Sequence, residues 1–549
     1  MSRLRRITAR AATALAALLV FLALVVPDQV TRMPPGTPWW PAVVRVPIEA
    51  IAVLTVLLVL PRRARTVTAT VLGALLGVLT VLKIIDIGFF AVLSRAFDPV
   101  LDWPLFADGY RFVRDSSGPG GLIGALAGVI VLAVGVLAGS VLAVRRLATV
   151  TARHRTAARA GLASAAVAWL LLALAGTSFA PGVHVASDSM ATLTRDSVLS
   201  VPAALRDRRE FDREVDDDAY QTTPPTSLLT ALRGKDVVFA VVESYGRSAV
   251  QDPTLSGPVT TALSAGTKSL TAAGFTARSG FLTSPTAGGG SWLAHSTFQS
   301  GVWIDNEQRY RGLVSGDRLT LTGALAKTGA WRTVGVEPGV TYAWPEGSFY
   351  GYQQVYDSHT LGYAGPVFGW APVPDQFTLK TFTDREYAVP GRGPLAAEIT
   401  FVSSHTPWAP QPVLEDWNKL GDGSLYTQQH AAGRSATDVW KDPAQVREAY
   451  SQSIVYTLDS LVSWVTTYGN DNLVLVVYGD HQPAPIVVGD NASRDVPVSI
   501  ITHDQSVLDR VAGWGWTDGL QPAPAAPVWP MNDFRDKFLT AFGPTGTHR

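Results

Sequence analysis

Cysteine is absent from the 549 residues of the chain. Its absence excludes disulfides, thiolate metal sites and a cysteine nucleophile. It leaves the compartment open, since an extracytoplasmic protein needs no disulfide. Charge is scarce as well: 16% of residues are charged, against the ~25% typical of soluble domains, which argues against a purely soluble chain. The 45 basic side chains balance 45 acidic ones, so the net charge is zero. That excludes a strongly basic nucleic-acid binder and an acidic tail protein. What is plentiful is apolar, at 47% of residues. At ~100–200 residues per domain, the length predicts more than one domain.

The apolar residues are not spread evenly. Five long runs fall before residue 181: Ala11–Pro27, Val43–Leu60, Val67–Leu93, Gly121–Val144 and Ala160–Ala180. Each is near the ~20 residues a helix needs to cross a bilayer core. The first follows Arg3, Arg5, Arg6 and Arg10 as a signal peptide would, but Val25-Val26-Pro27-Asp28 lacks a small-x-small cleavage site. It reads as a retained span. Three Arg lie in Pro61–Thr66 and five in Arg145–Arg159, while Asp28–Ala42 has one and Ser94–Gly120 has three offset by four Asp. The positive-inside rule therefore places the N-terminus in the cytoplasm, and five crossings put everything after Ala180 outside it. The count is odd, so the loss of one span inverts the result. Lys83 and Asp86 interrupt the third run, three residues apart. Ionisable groups at that depth are either functional or paired near the outer end of an overlong span. Glu49, early in the second run, has the same two readings.

Residues 1–180 thus form a five-helix membrane domain and 181–234 a juxtamembrane linker. The linker holds the charge-dense RDRREFDREVDDD of Arg206–Asp218, expected as a solvated helix or stalk, ended by Pro224-Pro225. Residues 235–549 form an outer domain. Asp236–Val242, Glu398–Val402, Asn472–Val477 and Val496–Ile501 are short, continuously apolar runs of the kind buried parallel strands show. Helical stretches lie between them: Thr261–Ala273, Leu319–Thr328 and Val446–Tyr468. The alternation predicts an α/β domain with a central, mostly parallel sheet covered on both faces.

In such sheets ligands bind beyond the carboxyl ends of the strands. There the sequence places Glu243 after the first strand, His405 in Ser403-Ser404-His405 after the second, and Asp480-His481 after the third. Carboxylates with imidazole suit a divalent ion such as Mn, Mg or Zn. The loop Ser284–Ser300 carries three glycines ending in Ser291. Glycines let the backbone turn sharply and present that hydroxyl at a helix N-terminus, where amide dipoles favour a phosphate. A hydroxyl on a metal is easier to deprotonate. Singly, each feature has a bland reading as an exposed strand end, a flexible loop or a turn cap.

Together, VVESYG, GGGSWLAH, SSHTPW and YGDHQP resemble the alkaline phosphatase/sulfatase superfamily, and in layout its lipoteichoic acid synthase and phosphoglycerol transferase branch. The resemblance covers the whole chain: membrane spans, connector, outer domain. It implies that Glu243, Ser291, Asp480 and His481 hold one divalent ion, Mn first, with Mg or Zn as alternatives. It makes Ser291 the nucleophile, in place of the family's Thr, with Ser284 and Thr286 as rivals. It gives His405 a contact to the transferred group and Trp344 a place in substrate binding. Where the synthases bind glycerol phosphate through a His-x-Asp pair and a Trp-Asn-Arg segment, this chain reads Glu337-Pro338-Gly339 and Trp344-Pro345-Glu346.

Sulfatases make formylglycine in a C/S-x-P-x-R motif. The nearest stretch, Thr283-Ser284-Pro285-Thr286-Ala287, lacks the first residue and the Arg, so sulfate-ester hydrolysis is not expected. The phosphoethanolamine transferases share the five-span layout but usually carry disulfides. The expectation is a multi-pass membrane enzyme that moves a phosphoglycerol-like headgroup from a lipid donor to an envelope glycan or glycolipid through a covalent serine intermediate. A phosphodiesterase or phosphatase, and a non-catalytic envelope-binding protein of the same fold, are the alternatives. No nucleic-acid partner is expected, and oligomeric state is not readable. Asp357-Ser358-His359 is a weaker metal candidate, His295 either faces the pocket or covers its helix, and the aromatic residues of Trp331–Trp370 stack on a sugar or line a membrane boundary. Arg, Ala, Val and Gly abound as in a GC-rich bacterial genome.

Overall fold

The computed structural model describes residues 3–25, 40–93, 95–180, 183–489 and 492–544. The last residues of the first apolar run (26–27) and the first of the linker (181–182) therefore lie outside the described residues. The chain divides into two compact units, Met1–Leu205 and Arg206–Arg549.

The first unit is helical: α1 (Arg3–Val25), α2 (Ile48–Val59), α3 (Arg62–Leu93), α4 (Leu105–Arg153), α5 (Arg155–Leu174) and α6 (Ser189–Asp216), which runs on past Leu205. Among the described residues four helical segments are long and apolar enough to cross a membrane: Arg5–Val25, Arg62–Leu93, Ser117–Arg153 and Arg155–Leu174. Gly73 and Gly77 lie against the backbone of α4 at Val141 and Leu137, where an added Cβ would sit 2.7 and 2.9 Å from their Cα atoms. Such close backbone contact is what small residues allow between membrane helices. The second apolar run differs from the expected 18-residue span. Its helix has 12 residues, or about 18 Å at ~1.5 Å per residue. Pro47 is the cause. It disfavours a helical residue before it, and Val46–Pro47 instead pairs in parallel with Ala186–Ser187. Lys83 and Asp86 are both buried. Lys83 Nζ donates to the Ala23 carbonyl at 3.4 Å, and Asp86 accepts the Phe97 amide at 2.7 Å, so these charges serve contacts inside the unit.

The second unit is built on a nine-stranded sheet: β1 (Asp236–Val242), β2 (Thr276–Thr283), β3 (Arg332–Glu337), β4 (Gln354–Asp357), β5 (Leu395–Phe401), β6 (Leu473–Gly479), β7 (Asp495–Thr502), β8 (Thr517–Asp518) and β9 (Val528–Pro530). The order is β8-β2-β7-β6-β1-β5-β3-β4, with β9 beside β2. From β6 to β4 every pairing is parallel. Val496–Ile501, expected as another parallel strand, lies in β7, which is antiparallel to both its neighbours. Continuous hydrophobicity reports burial on both faces and not strand direction, which explains the difference.

Alternation along β1 builds two cores. Val238, Ala240 and Val242 pack in the layer containing Leu458, Leu461 and Trp464 of a long helix, α9 (Pro443–Tyr468). Val237, Phe239 and Val241 belong to the opposite layer, with Phe298, Phe534 and Phe538. The sheet is therefore covered on both faces, as expected. The charged run of Arg206–Asp218 is less solvated than its composition suggests. Asp207 binds Arg309 through both carboxylate oxygens, Phe211 is buried beside Leu293 and Leu313, and Asp218 makes a bidentate pair at 2.9 and 2.7 Å with Arg535, whose side chain is 0% exposed.

Candidate active site

Two adjacent parallel strands, β1 and β6, end level with one another, pairing through Val242 and Gly479. The residues that follow, Glu243 and Asp480, are thereby brought side by side. Gly479 is dictated by this approach: a Cβ there would lie 1.9 Å from the Tyr245 carbonyl oxygen. After Glu243 the chain turns through Ser244, whose φ of 56° is unusual for a residue with a side chain. Hydrogen bonds to its neighbours hold it. Its amide donates to Asp480 Oδ1 at 2.7 Å, its hydroxyl donates to Glu243 Oε1 at 2.7 Å, and its carbonyl accepts from the Tyr450 hydroxyl at 2.8 Å. Strain of this kind persists where surrounding structure over-determines it, typically at functional sites.

The third element is the glycine loop. Gly288, Gly289 and Gly290 have φ of 75°, 159° and 81°, and conformations of this kind favour glycine. They deliver Ser291 as the first residue of α8 (Ser291–Ser300). Its Oγ donates to Glu243 Oε2 at 2.8 Å and lies 3.2 Å from His481 Nε2. The rival hydroxyls are occupied elsewhere: Thr286 donates to the Gly289 carbonyl, and Ser284 Oγ accepts the Thr286 amide.

His481 Nδ1 lies 2.8 Å from the Gln482 carbonyl. A carbonyl only accepts, so the proton is assigned to Nδ1 and the lone pair of Nε2 turns into the site. There it is 3.5 Å from Glu243 Oε1 and 3.6 Å from Asp480 Oδ2. Asp480 Oδ2 is buried without a hydrogen-bond partner among the described residues. Burial, and then the neighbouring Glu243, push the Asp480 carboxyl well above its ordinary range. Burial also raises Glu243, but His481, His405 and the Ser244 hydroxyl outweigh it and hold that carboxylate to about 2. Two buried carboxylates facing one imidazole lone pair, with one oxygen unpartnered, form a donor set short of positive charge. One donor atom each from Glu243, Asp480 and His481 lies within 4.8 Å of the others, and this set fits a divalent cation.

His405 adjoins this group. Its ring stacks on Trp370 with centroids 4.0 Å apart and planes at 26°. Its Nδ1 is 2.7 Å from the Thr406 carbonyl, which leaves Nε2 unprotonated in the neutral ring, and burial lowers its pKa. Trp344 is placed differently: it packs with Tyr350 and Tyr352 at 5.6 and 6.5 Å, and it has no hydrogen bond to Glu243, Ser291, Asp480 or His481 among the described residues. His295, one turn along α8 from Ser291, has a buried Nε2 without a partner among the described residues. Burial lowers its pKa to about 4, against the opposing charge of Glu243. Asp357 does end a strand, β4, but its carboxylate caps the following turn through His359 and Thr360, while His359 Nε2 lies 3.0 Å from the Thr341 carbonyl. Those groups are used up locally. Ser244, Tyr450 and Trp370 carry no sequence signal of their role, since each acts by supporting another residue.

No family model matches the sequence, and no curated protein does. Similar solved structures include the lipoteichoic acid synthase LtaP from Listeria monocytogenes, at 14% identity and TM-score 0.38 over 61% of this chain and 78% of that one. A protein in the alkaline phosphatase superfamily from Vibrio parahaemolyticus matches at 16% identity and TM-score 0.35, over 62% and 75%. The Streptococcus pyogenes phosphoglycerol transferase GacH, in complex with sn-glycerol-1-phosphate, matches at 11% identity and TM-score 0.36, over 62% and 91%.

Proposed function

We propose that the chain is a membrane-anchored phosphotransferase that moves a phospho-alcohol headgroup from a lipid donor to an envelope glycan or glycolipid through a covalent intermediate on Ser291. The carrying observation is the Ser291 hydroxyl at a helix N-terminus, 2.8 Å from Glu243 and 3.2 Å from the unprotonated nitrogen of His481. Glu243, Asp480, His481 and Ser291 would hold one divalent cation, with Mn preferred over Mg or Zn. Such an ion would ease deprotonation of the hydroxyl and offset phosphoryl charge.

In the first half-reaction Ser291 Oγ gives its proton to water and bonds to phosphorus. The bond from phosphorus to the lipid alkoxide breaks, and water protonates the departing oxygen. The amides at the start of α8 favour the anionic group being transferred. In the second, an acceptor hydroxyl attacks phosphorus, gives its proton to an unprotonated nitrogen such as Nε2 of His405, and Oγ leaves and is reprotonated. His405 serves here as a base, because its other nitrogen already carries the proton. Trp344 shapes the aromatic wall beside the site and acts on substrate through that wall.

Loop charges support a cytoplasmic N-terminus and an extracytoplasmic second unit. The short α2 is compatible with a crossing: its 12 residues and the extended Arg45–Pro47, laid end to end, reach about 28 Å. The test is mass spectrometry of the full chain incubated with phosphatidylglycerol and Mn. A phosphoglycerol adduct on Ser291, absent from Ser291→Ala, is the expected result. A Ser291→Ala protein with full turnover refutes it. Products formed with and without an acceptor glycan separate transfer from hydrolysis.

A further inference from the structure

Among the helices of the first unit lies a cavity of about 550 Å³, within the size range of small-ligand sites. Its body is apolar, formed by side chains such as Val20 of α1, Val53 of α2, Leu75 of α3 and Leu147 of α4. Its polar groups are Glu49, Thr194 and Arg195. Glu49 joins two elements here: its Oε1 accepts the Met190 and Ala191 amides at 2.9 and 3.1 Å and so fixes the start of α6 beside the start of α2. The other oxygen, Oε2, is buried with no hydrogen-bond partner among the described residues.

The surroundings decide what such a space holds. The helices around it expose Val56, Val71 and Val78, as helices in contact with hydrocarbon do. Water filling an apolar cavity finds too few partners, and an empty space of that size forfeits packing. A lipid chain fills it without either cost. The polar groups add a requirement on the headgroup. The Arg195 guanidinium donates to a phosphate, the Thr194 hydroxyl already donates to the Met190 carbonyl at 2.7 Å, and the unpartnered Glu49 oxygen accepts, so the headgroup must also carry a donor.

We infer that the first unit holds a resident phospholipid, with one acyl chain in this cavity and, against Glu49, Thr194 and Arg195, an anionic phosphate that bears a hydroxyl donor. The site lies wholly in the first unit and stands whether or not Ser291 is a nucleophile.

Native mass spectrometry of the full chain tests this, with mixed micelles of phosphatidylglycerol or of phosphatidylcholine of the same chain length as probes. Phosphatidylcholine offers the phosphate without a headgroup donor. Wild type should retain one phosphatidylglycerol and less phosphatidylcholine. Leu75→Trp and Val53→Trp fill the cavity and should lower occupancy about tenfold, equivalent to ~1.4 kcal/mol. Val131→Trp, on the exposed face of α4, should leave it unchanged. Glu49→Gln, which removes the unpartnered acceptor, should erase the preference between the two lipids, and Arg195→Gln should lower retention of both. No retained lipid, no preference in wild type, or equal loss in the Val131→Trp control overturns the inference. Should the filling variants lose their helical circular dichroism, a photoreactive acyl-chain phosphatidylglycerol on wild type decides instead. Labelling concentrated on α2 and α3 at the cavity supports the site, and labelling spread evenly along residues 122–134 overturns it.

Discussion

Replacing Asp480 by Asn should stabilise the metal-free protein and abolish its response to metal. In the structure Asp480 Oδ1 accepts two amides, from Ser244 at 2.7 Å and His481 at 2.6 Å. Asn keeps both bonds through its carbonyl oxygen. What changes is Oδ2, buried, unpartnered and turned toward Glu243. As an amide nitrogen it carries no charge and donates to that carboxylate. Removing the need to protonate this carboxyl on folding, or else to hold a second charge beside Glu243, is worth ~1–3 kcal/mol at neutral pH in the metal-free state. Wild type gains stability only from the cation: at a hundredfold excess over Kd the gain is ~2.7 kcal/mol, or roughly 5 °C in Tm for a unit of this size. The assay is thermal unfolding of the full chain after chelation, followed with and without Mn. Wild type should start lower and rise, whereas Asp480→Asn should start higher and stay. A wild type indifferent to Mn, Mg and Zn, or a variant that responds equally, refutes the donor-set argument.

Other perturbations have equally definite signs. Gly479→Ala should abolish stable expression or lower stability by at least ~3 kcal/mol in a denaturant titration, because its Cβ would meet the Tyr245 carbonyl at 1.9 Å. Arg535→Met leaves Asp218 buried and unpaired, at a cost of ~3–5 kcal/mol in the same measurement. Burial raises the Asp218 carboxyl, but Arg535 outweighs it and holds the pKa below the ordinary value. The stabilisation from that pair is therefore present above the ordinary carboxylate range and lost as pH falls through the depressed value, and Arg535→Met should flatten this acid limb. Glu398 has the opposite sign. Burial raises its pKa to about 7, so its contribution is complete below ~pH 4 and falls by ~3 kcal/mol as pH rises through 7. Glu398→Gln should remove that alkaline loss from a Tm-versus-pH profile.

The parts of the fold legible in the sequence are those where one residue's chemistry settles the matter alone. Asp236–Val242 is a strand with the bounds its apolar run suggests, because burial on both faces tolerates no polar interruption. Thr276–Thr283 and Arg332–Glu337 carry no such signal, because their sequences, TARSGFLT and RTVGVE, mix polar residues and glycine into the run. Strand direction in β7 and the break before α2 depend on partners far along the chain, although Pro47 was a visible warning of the second. Glu243, Asp480 and His481 come together because they follow the ends of adjacent parallel strands, where ligands commonly collect, and Ser291 joins them through the glycine loop that opens its helix. The substrate role expected of Trp344 rests on motif position, and its ring neighbours in the structure are Tyr350 and Tyr352.

The helix that opens at Ser291 and the strand that leads to Asp480 are also tied together behind the candidate site. Phe298, seven residues along α8 from Ser291, stacks at 3.8 Å on Tyr478, the residue two before Asp480, and at 4.4 Å on Phe534. Glu398, in the middle of β5, accepts from Gln299 of α8 at 2.7 Å, from Tyr352, and from Tyr478 at 3.4 Å. Ser296 shares a hydrogen bond of 2.8 Å with Tyr350, and Arg318 donates to the Ser300 carbonyl at 2.7 Å. Each tie engages the helix on a face or turn away from its hydroxyl. A serine lacks the χ1 restraint of a β-branched threonine, so here the position of Oγ depends more heavily on where the helix itself is held. On the proposed mechanism the aromatic wall around Trp344 would bear on catalysis through α8: a change at Tyr350 should shift the Ser291 hydroxyl without touching the donor atoms at Glu243, Asp480 and His481.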